Sequence, residues 1–469
     1  MEQRVHRPSS LGSRALTRRQ VLSAGLVAAG GLLAACAPKA ATVAPAATKA
    51  PAVGAKPTPL AAGKEITIQY WCGGGQARMD FYNKEVIPKF KELYPNVNVE
   101  LGEVPSWADL YNKLVTSAAG GAPPELCRQK DYFTPDFAVR GVQMDLTEYI
   151  ATTPHLQDKS IWVPGAWQIA HYNGKPYALP INIFIHYPHY SVELFKKAGL
   201  LDSEGKPKAI DTWEDWAAVA KKISDPANKV YGTMLRSENV SEDTTNFFHV
   251  LLAQAGGRLH DEQFTKFTFN TPEGLDALNF VVGLIKDGSM KPAGVSIPDI
   301  QYNNQVGIWW HSGNYWTNYP KEFKWCVSVN PKRKTRGAVL RGNHLALYTA
   351  SKNRDAGWAF MAFHETPEID YAYGKSQNFI TAQPANWKKP YYQGKVGGCA
   401  EFATEFAVIA DPGTQNQPIR PGYQEASLKI AAQLQLAYMG KISPEEALAT
   451  AEKEANQVLA DTDKLLGIK

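Results

Sequence analysis

"ITIQYWCGGG", residues 66–75, runs from a β-rich hexapeptide into three consecutive glycines, and its reading sets the fold class. Ile, Thr, Tyr and Trp favour a pleated, half-buried strand, and the glycines end it. Residues onward to Leu93 read as helix, after which Val97–Leu101 alternates like a half-buried strand. Trp107, Leu110, Tyr111, Leu114, Val115 and Ala118 share one helical face, which Gly120–Gly121 terminates. Glu125–Leu126–Cys127 supplies a third strand. The order βαβαβ predicts an open, mostly parallel sheet flanked by helices.

The alternation continues downstream. Asn173–Gly174 inside Gln168–Pro180 predicts a hairpin with a type I′ turn. Thr212–Trp213–Glu214–Asp215 is a capping box, Thr271–Pro272 opens a helix ending at Gly288, and Ser443–Pro444 opens the last one. A single core stops growing near 250–300 residues. The roughly 400 residues after position 63 therefore suit two lobes.

The chain begins differently. Val21–Cys36 is apolar but only sixteen residues long, with Gly25, Gly30 and Gly31 inside it. A membrane-crossing helix needs about twenty apolar residues. Arg4, Arg7, Arg14, Arg18 and Arg19 precede this run, so residues 1–35 read as a signal peptide. Thr17–Arg18–Arg19 resembles a twin-arginine export signal, and Leu33–Ala34–Ala35–Cys36 resembles the lipobox of bacterial lipoproteins. Cys36 is then the lipidated first residue of the mature chain. Residues 37–63 hold five prolines, no acid and no aromatic, a composition that cannot bury enough surface to fold and reads as a tether.

Residues 1–63 carry a net charge of +7 against +5 for the whole chain, which leaves about −2 for the remainder. The basic balance belongs to the leader and gives no argument for nucleic acid. Lys332, Arg333, Lys334 and Arg336 read as a solvated loop. Cys72, Cys127, Cys326 and Cys399 show no CxxC spacing, so buried free thiols are expected rather than a metal or redox motif.

Nine phrases occur in order: "IPKFKELYPNVNVE", "KLVTSAAGGAPPEL", "RGVQMDLTEYI", "NGKPYALP", "LFKKAGL", "TWEDWAAVAKKI", "QAGGRL", "TASKNRDAGWAFMAFHETPE" and "GKISPEEAL". Together they resemble the family 1 extracellular solute-binding proteins of ABC importers, the group that includes maltose-binding protein. The resemblance implies an α/β periplasmic-binding-protein fold whose two lobes close on a ligand like a flytrap. It places chain crossings near Ile181–Ile183, Thr317–Pro320 and Ser351. The N-lobe is then residues 64–180 and 320–350, and the C-lobe 181–319 and 351–469. It further implies a carbohydrate or related polar solute as ligand, ABC permease subunits as partners, a lipid anchor on the outer face of the membrane, and a monomer. No cofactor or metal is expected.

Ligands of open parallel sheets sit beyond the carboxyl ends of the strands. Trp71 lies at such an end, and Asp131 follows the third strand in Lys130–Asp131–Tyr132–Phe133. The resemblance makes Asp131 a contact to sugar hydroxyls. Gly313–Asn314–Tyr315–Trp316 resembles the family's Gly-Pro-Trp loop, whose aromatic stacks on a sugar, though Asn314 replaces the proline and either Tyr315 or Trp316 fits the role. Asn182 at the hinge, Trp107 at a helix start and Tyr423 after Pro421–Gly422 complete the candidates. Aromatic faces cover the apolar side of a pyranose, while carboxylates and amides pair its hydroxyls.

The rival readings are a secreted glycoside-acting enzyme and a surface lipoprotein without a transport role. No GxSxG or GxxxxGK[ST] occurs, and His364–Glu365–Thr366–Pro367–Glu368 lacks the second histidine of HExxH. His186 and His189 share an HxxH spacing, but "FIHYPHY" reads as a strand end. The lipobox yields a direct test. Cys36→Ser should move the chain from the membrane to the soluble fraction on cell fractionation, and unchanged membrane partitioning would refute the anchor.

Overall fold

The computed structural model describes residues 63–468, apart from residues 74, 105, 206, 209, 238 and 398–399. The expected signal peptide, Cys36 and all of the tether except Gly63 lie outside the described residues. Among those described, no helix is long and apolar enough to cross a membrane.

Eleven strands build two sheets: β1 (Ile66–Trp71), β2 (Val97–Gly102), β3 (Leu126–Lys130), β4 (Ala178–Phe184), β5 (Tyr187–Ser191), β6 (Tyr231–Thr233), β7 (Val306–His311), β8 (Trp325–Val327), β9 (Val339–Leu347), β10 (Ile380–Thr381) and β11 (Gln415–Asn416). The larger sheet has the order β10-β4-β9-β3-β1-β2, with β11 beside the start of β9. The smaller has the order β8-β5-β7-β6.

The expected βαβαβ unit is present. β1 pairs in parallel with β2 and β3, and helix Trp107–Ala119 connects the latter two, with Ser106 accepting from the Asp109 amide as its cap. Beyond this unit the sheets are mixed rather than mostly parallel. β9 runs antiparallel to both β3 and β4, and β5 antiparallel to both β7 and β8. The reason is connectivity. A helical crossover makes its two strands parallel, but β9 enters the larger sheet from the other lobe.

Strand pairing also relocates the expected crossings. Ile181–Ile183 lies inside β4, so the chain leaves the larger sheet at Ile185–His186. Thr317–Pro320 precedes β8, which still pairs with β5, so the return falls between Val327 and Val339. Residues past Ser351 stay with the first lobe for a further stretch. Helix Arg354–His364 packs on β1 and β9, and helix Pro367–Gln377 leads into β10 on the same sheet. Helices Tyr423–Tyr438 and Pro444–Leu466 then pack on helices Glu242–Gln254 and Pro272–Lys286 in the second lobe.

Local signals hold where the side chain itself makes the contact. Asn173 and Gly174 both take positive φ, as a type I′ turn requires. Thr212 and Asp215 form the capping box at Trp213. Trp309 and Trp310 are buried, and Trp310 packs on Trp216 and Phe247. The basic loop is solvated but paired, Arg333 to Asp276 and Glu214 and Lys334 to Glu273. Cys72 and Cys127 are buried free thiols as expected, whereas Cys326 is disulfide-bonded. Cys36 and Cys399, the two remaining cysteines, lie outside the described residues. An exported chain permits such a bond.

Leu345 lies fully buried in β9, between β3 and β4. Leu345→Ala should cost about 2–5 kcal/mol, read by denaturant unfolding.

Candidate ligand-binding site

The carboxyl end of β3 lies near the segment that leaves β6, where Lys130 feels the charge of Asp243. From the first lobe come Trp107, Lys130 and Tyr132. The second lobe presents Arg236, Glu242, Asp243, Tyr315 and Tyr423. Phe184 and Arg341 are paired across β4 and β9, with the Arg341 guanidinium 5.3 Å from the Phe184 ring centroid.

Three of the contacts between the lobes lie beside these residues. Arg341 of β9 forms an ion pair with Glu242 at the start of its helix. The Gly422 amide donates to Asp136 Oδ1 at 3.0 Å. The rings of Tyr132 and Tyr423 lie 6.3 Å apart. Burial raises Asp136 to about 6, opposed by the Gly422 hydrogen bond.

The expected site residues have different surroundings. Trp71 is half-buried against Gly102, where an added Cβ would come within 2.6 Å of its ring, and Lys113 Nζ lies 3.9 Å from its centroid. Asp131 is buried, and backbone amides occupy both carboxylate oxygens: Tyr132 donates to Oδ1 at 2.9 Å and Gly342 to Oδ2 at 3.0 Å. It ties β9 to the end of β3. Asn182 is buried in β4, where its Oδ1 accepts from Asn343 at 3.2 Å while its Nδ2 has no partner.

Tyr315 and Trp316 part company. Tyr315 is 38% exposed and lies against His311, with the Arg236 guanidinium 6.0 Å from its ring. Trp316 is 5% exposed and packs among Tyr187, Trp325 and Phe402. Tyr423 is buried and donates to Asn246 Oδ1 at 3.4 Å. Trp107 is half-buried, with Arg128 and Lys130 over its ring at 5.0 and 5.1 Å.

Sequence reasoning missed the cations. Arg128 and Lys130 alternate on β3 and so share a face, and Arg341 is the one Lys or Arg in the otherwise uncharged, buried strand β9. That interruption was the available signal. Lys130 is pushed down to about 7, first by burial and then by Arg341. His186 and His311 sit nearby and are held neutral by burial and by Arg236. Among the described residues, no group of three His, Cys, Asp or Glu side chains could hold a metal ion.

A region of concavity lies away from these residues. Trp167, His171, Tyr172, Phe264 and Arg420 line a groove of about 670 Å³ beside the Asn173–Gly174 hairpin.

Residues 73–370 match the bacterial extracellular solute-binding protein family. The chain belongs to that family. It is 23% identical over 327 residues to the arabinooligosaccharide-binding protein of Bacillus subtilis, covering 65% of this chain and 70% of that one. A solute-binding protein of Thermotoga lettingae, solved with α-D-tagatose, superposes with a TM-score of 0.72 at 24% identity, over 84% of this chain and all of the other. The Listeria monocytogenes substrate-binding protein solved with cycloalternan gives a TM-score of 0.73 at 23% identity, over 85% of this chain and all of that one. The two-lobed architecture is that of the family, whose members are exported binding proteins.

The Tyr315 turn is held from both sides. The Gly313 amide donates to Glu405 at 3.1 Å, and Asn378 Nδ2 donates to the Gly313 carbonyl at 2.7 Å. Burial raises Glu405 from 4.5 to about 8. A raised carboxyl pKa means that the folded state binds the extra proton, so Glu405 lowers stability as pH rises from about 4.5 to 8. Glu405→Gln should remove that part of the slope, at most roughly 1.4 kcal/mol per pH unit, in thermal unfolding across that range.

Proposed function

We propose that this protein is the substrate-binding lipoprotein of an ABC importer, which captures a carbohydrate between its lobes and delivers it to a membrane permease. The observation that carries this reading is the match of residues 73–370 to the solute-binding family, on a fold whose two sheets meet where Arg341 of β9 pairs with Glu242 of the second lobe. Relatives of the same fold hold tagatose and cycloalternan, and another is named for arabinooligosaccharides. The sequence supports an exported chain, tethered to the outer face of the membrane through lipidated Cys36 and acting as a monomer.

Binding without turnover is the role this reading assigns. A ligand displaces the open–closed equilibrium by its preference for the closed state, so contacts from both lobes carry the affinity. Tyr315 is the aromatic best placed to cover a sugar face, because Trp316 is committed to packing. Asp131, Trp71, Asn182 and Tyr423 support the cleft through the contacts described above, and Asp131 and Tyr423 act chiefly by fixing the walls.

The test is a thermal-shift screen of the full-length chain against mono- and oligosaccharides. A ligand at 100 times its dissociation constant should stabilise by about 2.7 kcal/mol. Tyr315→Ala should weaken binding about ten- to a hundredfold with little change in unliganded stability. Trp316→Ala should instead destabilise the fold by about 3–5 kcal/mol. Absence of any saccharide binding would overturn the carbohydrate reading.

A further inference from the structure

Three cationic side chains gather around the carboxyl end of β3 and the Gly73 carbonyl. Arg128 is 1% exposed, and its Nε donates to Tyr373 Oη at 3.0 Å. Arg78, 6% exposed, reaches the Gly73 carbonyl, toward which Arg128 Nη1 also points at 3.4 Å. The Arg78 Nε has no hydrogen-bond partner. Lys130 Nζ lies 5.1 Å from the Trp107 centroid and 5.4 Å from that of Phe184.

Among the described residues, none of the three cations forms a salt bridge. Among the described residues, the neighbouring acids are engaged elsewhere or in water. Asp131 accepts from two backbone amides, Glu242 pairs with Arg341, Asp243 pairs with Arg236, and Glu103 near Cys72 is exposed. Carbonyl and phenol oxygens alone satisfy the guanidiniums, and rings cover their faces. A buried charge without a counter-ion carries a heavy desolvation penalty, and native proteins pair such charges. Arg128 and Arg341 also crowd Lys130, and the Asp131 and Asp243 charges only partly offset them.

We propose that the solute is an anionic saccharide, whose carboxylate or sulfate or phosphate ester is met by Lys130 and the Arg78–Arg128 pair while its ring lies near Trp107 and Phe184. Guanidinium forks match planar and tetrahedral oxyanions in two-point contacts. The aromatic faces beside them suit the apolar side of a sugar. This inference rests on the carbohydrate reading above and narrows it. Lys130 faces Arg341, Arg128, Asp131 and Asp243, with His186 nearby. A bound anion adds the missing opposite charge and draws a proton onto the amine, so affinity falls as pH rises above about 7.

The experiment is isothermal titration of the full-length chain with matched sets: neutral oligosaccharides, their uronic-acid counterparts and their sulfate or phosphate esters. The uronate and ester arms separate the two sources of charge. We expect the tightest ligand to be acidic, at least about tenfold tighter than its neutral counterpart, and to bind more weakly at higher salt and above pH 7.5. Lys130→Gln should lose about tenfold on that ligand, with the melting temperature held near that of wild type. A neutral sugar as the tightest ligand would overturn the inference and leave the carbohydrate reading standing. Binding of no saccharide at all would overturn both. The ranking of matched ligands on the unaltered protein decides the question even if the variant folds poorly.

Discussion

The antiparallel pair of β4 and β9 is the constraint on which both lobes depend. Gly342 faces Ile183 and Arg341 faces Phe184, and both strands continue into segments that belong to the other sheet. The approach is close enough that a Cβ on Gly342 would come within 2.7 Å of the Asn182 carbonyl, while the Gly342 amide donates to Asp131. A side chain there would force β9 and β4 apart and disturb the geometry of the Asp131 bond. Register matters equally. A slip by one residue would exchange the faces of Arg341 and Phe184, and the irregularity between Asn343 and His344 pins the pairing.

Charge is used in two distinct ways on this frame. At the surface, Lys334–Glu273 and Arg333–Glu214 neutralise a basic loop with exposed side chains, and such pairs contribute about 0–1 kcal/mol each. Inside the cleft, Arg341 keeps 3% of its side chain exposed and Glu242 18%. Desolvation cancels much of the attraction for such a pair, but removing one partner leaves an uncompensated charge. Its value therefore lies in geometry: it fixes the start of helix Glu242–Gln254 against β9. Asp131 plays a similar part with backbone amides instead of a cation.

The sequence was legible wherever one short segment determines its own structure. Asn173–Gly174, Thr212–Asp215, Ser443–Pro444 and the βαβαβ unit from Ile66 to Lys130 all folded as read, because their signals are local hydrogen bonds and side-chain periodicity. The crossings were harder to place. "YALPINIF" is a continuous apolar run, and nothing within it shows that β4 stays on the larger sheet through Phe184. That outcome depends on β9, about 160 residues later in the chain. The site followed the same rule. Tyr315 and Trp316 are adjacent and chemically alike, and only their packing separates an exposed ring from a buried one. The cationic wall was hidden because Arg78 and the Arg128–Lys130 pair come from separated segments, each of which alone reads as ordinary surface charge.

The contacts between the lobes bear on how such a cleft discriminates. Arg341–Glu242, Gly422–Asp136 and Tyr132–Tyr423 are made by protein to protein, so they favour closure to the same extent for every solute. Apparent affinity is the intrinsic affinity of the competent state scaled by its population; these contacts raise that population for all ligands alike. Selectivity has to come from the side chains that the protein leaves unsatisfied. Around this site those include the exposed Tyr315 ring, the Nε atoms of Arg78 and Arg341, the Nδ2 of Asn182 and the amine of Lys130, whose charge burial and Arg341 disfavour. A solute that completes them gains free energy that a poorer match cannot, and a site whose polar groups stay unpaired rejects such a match far more strongly than an apolar pocket does.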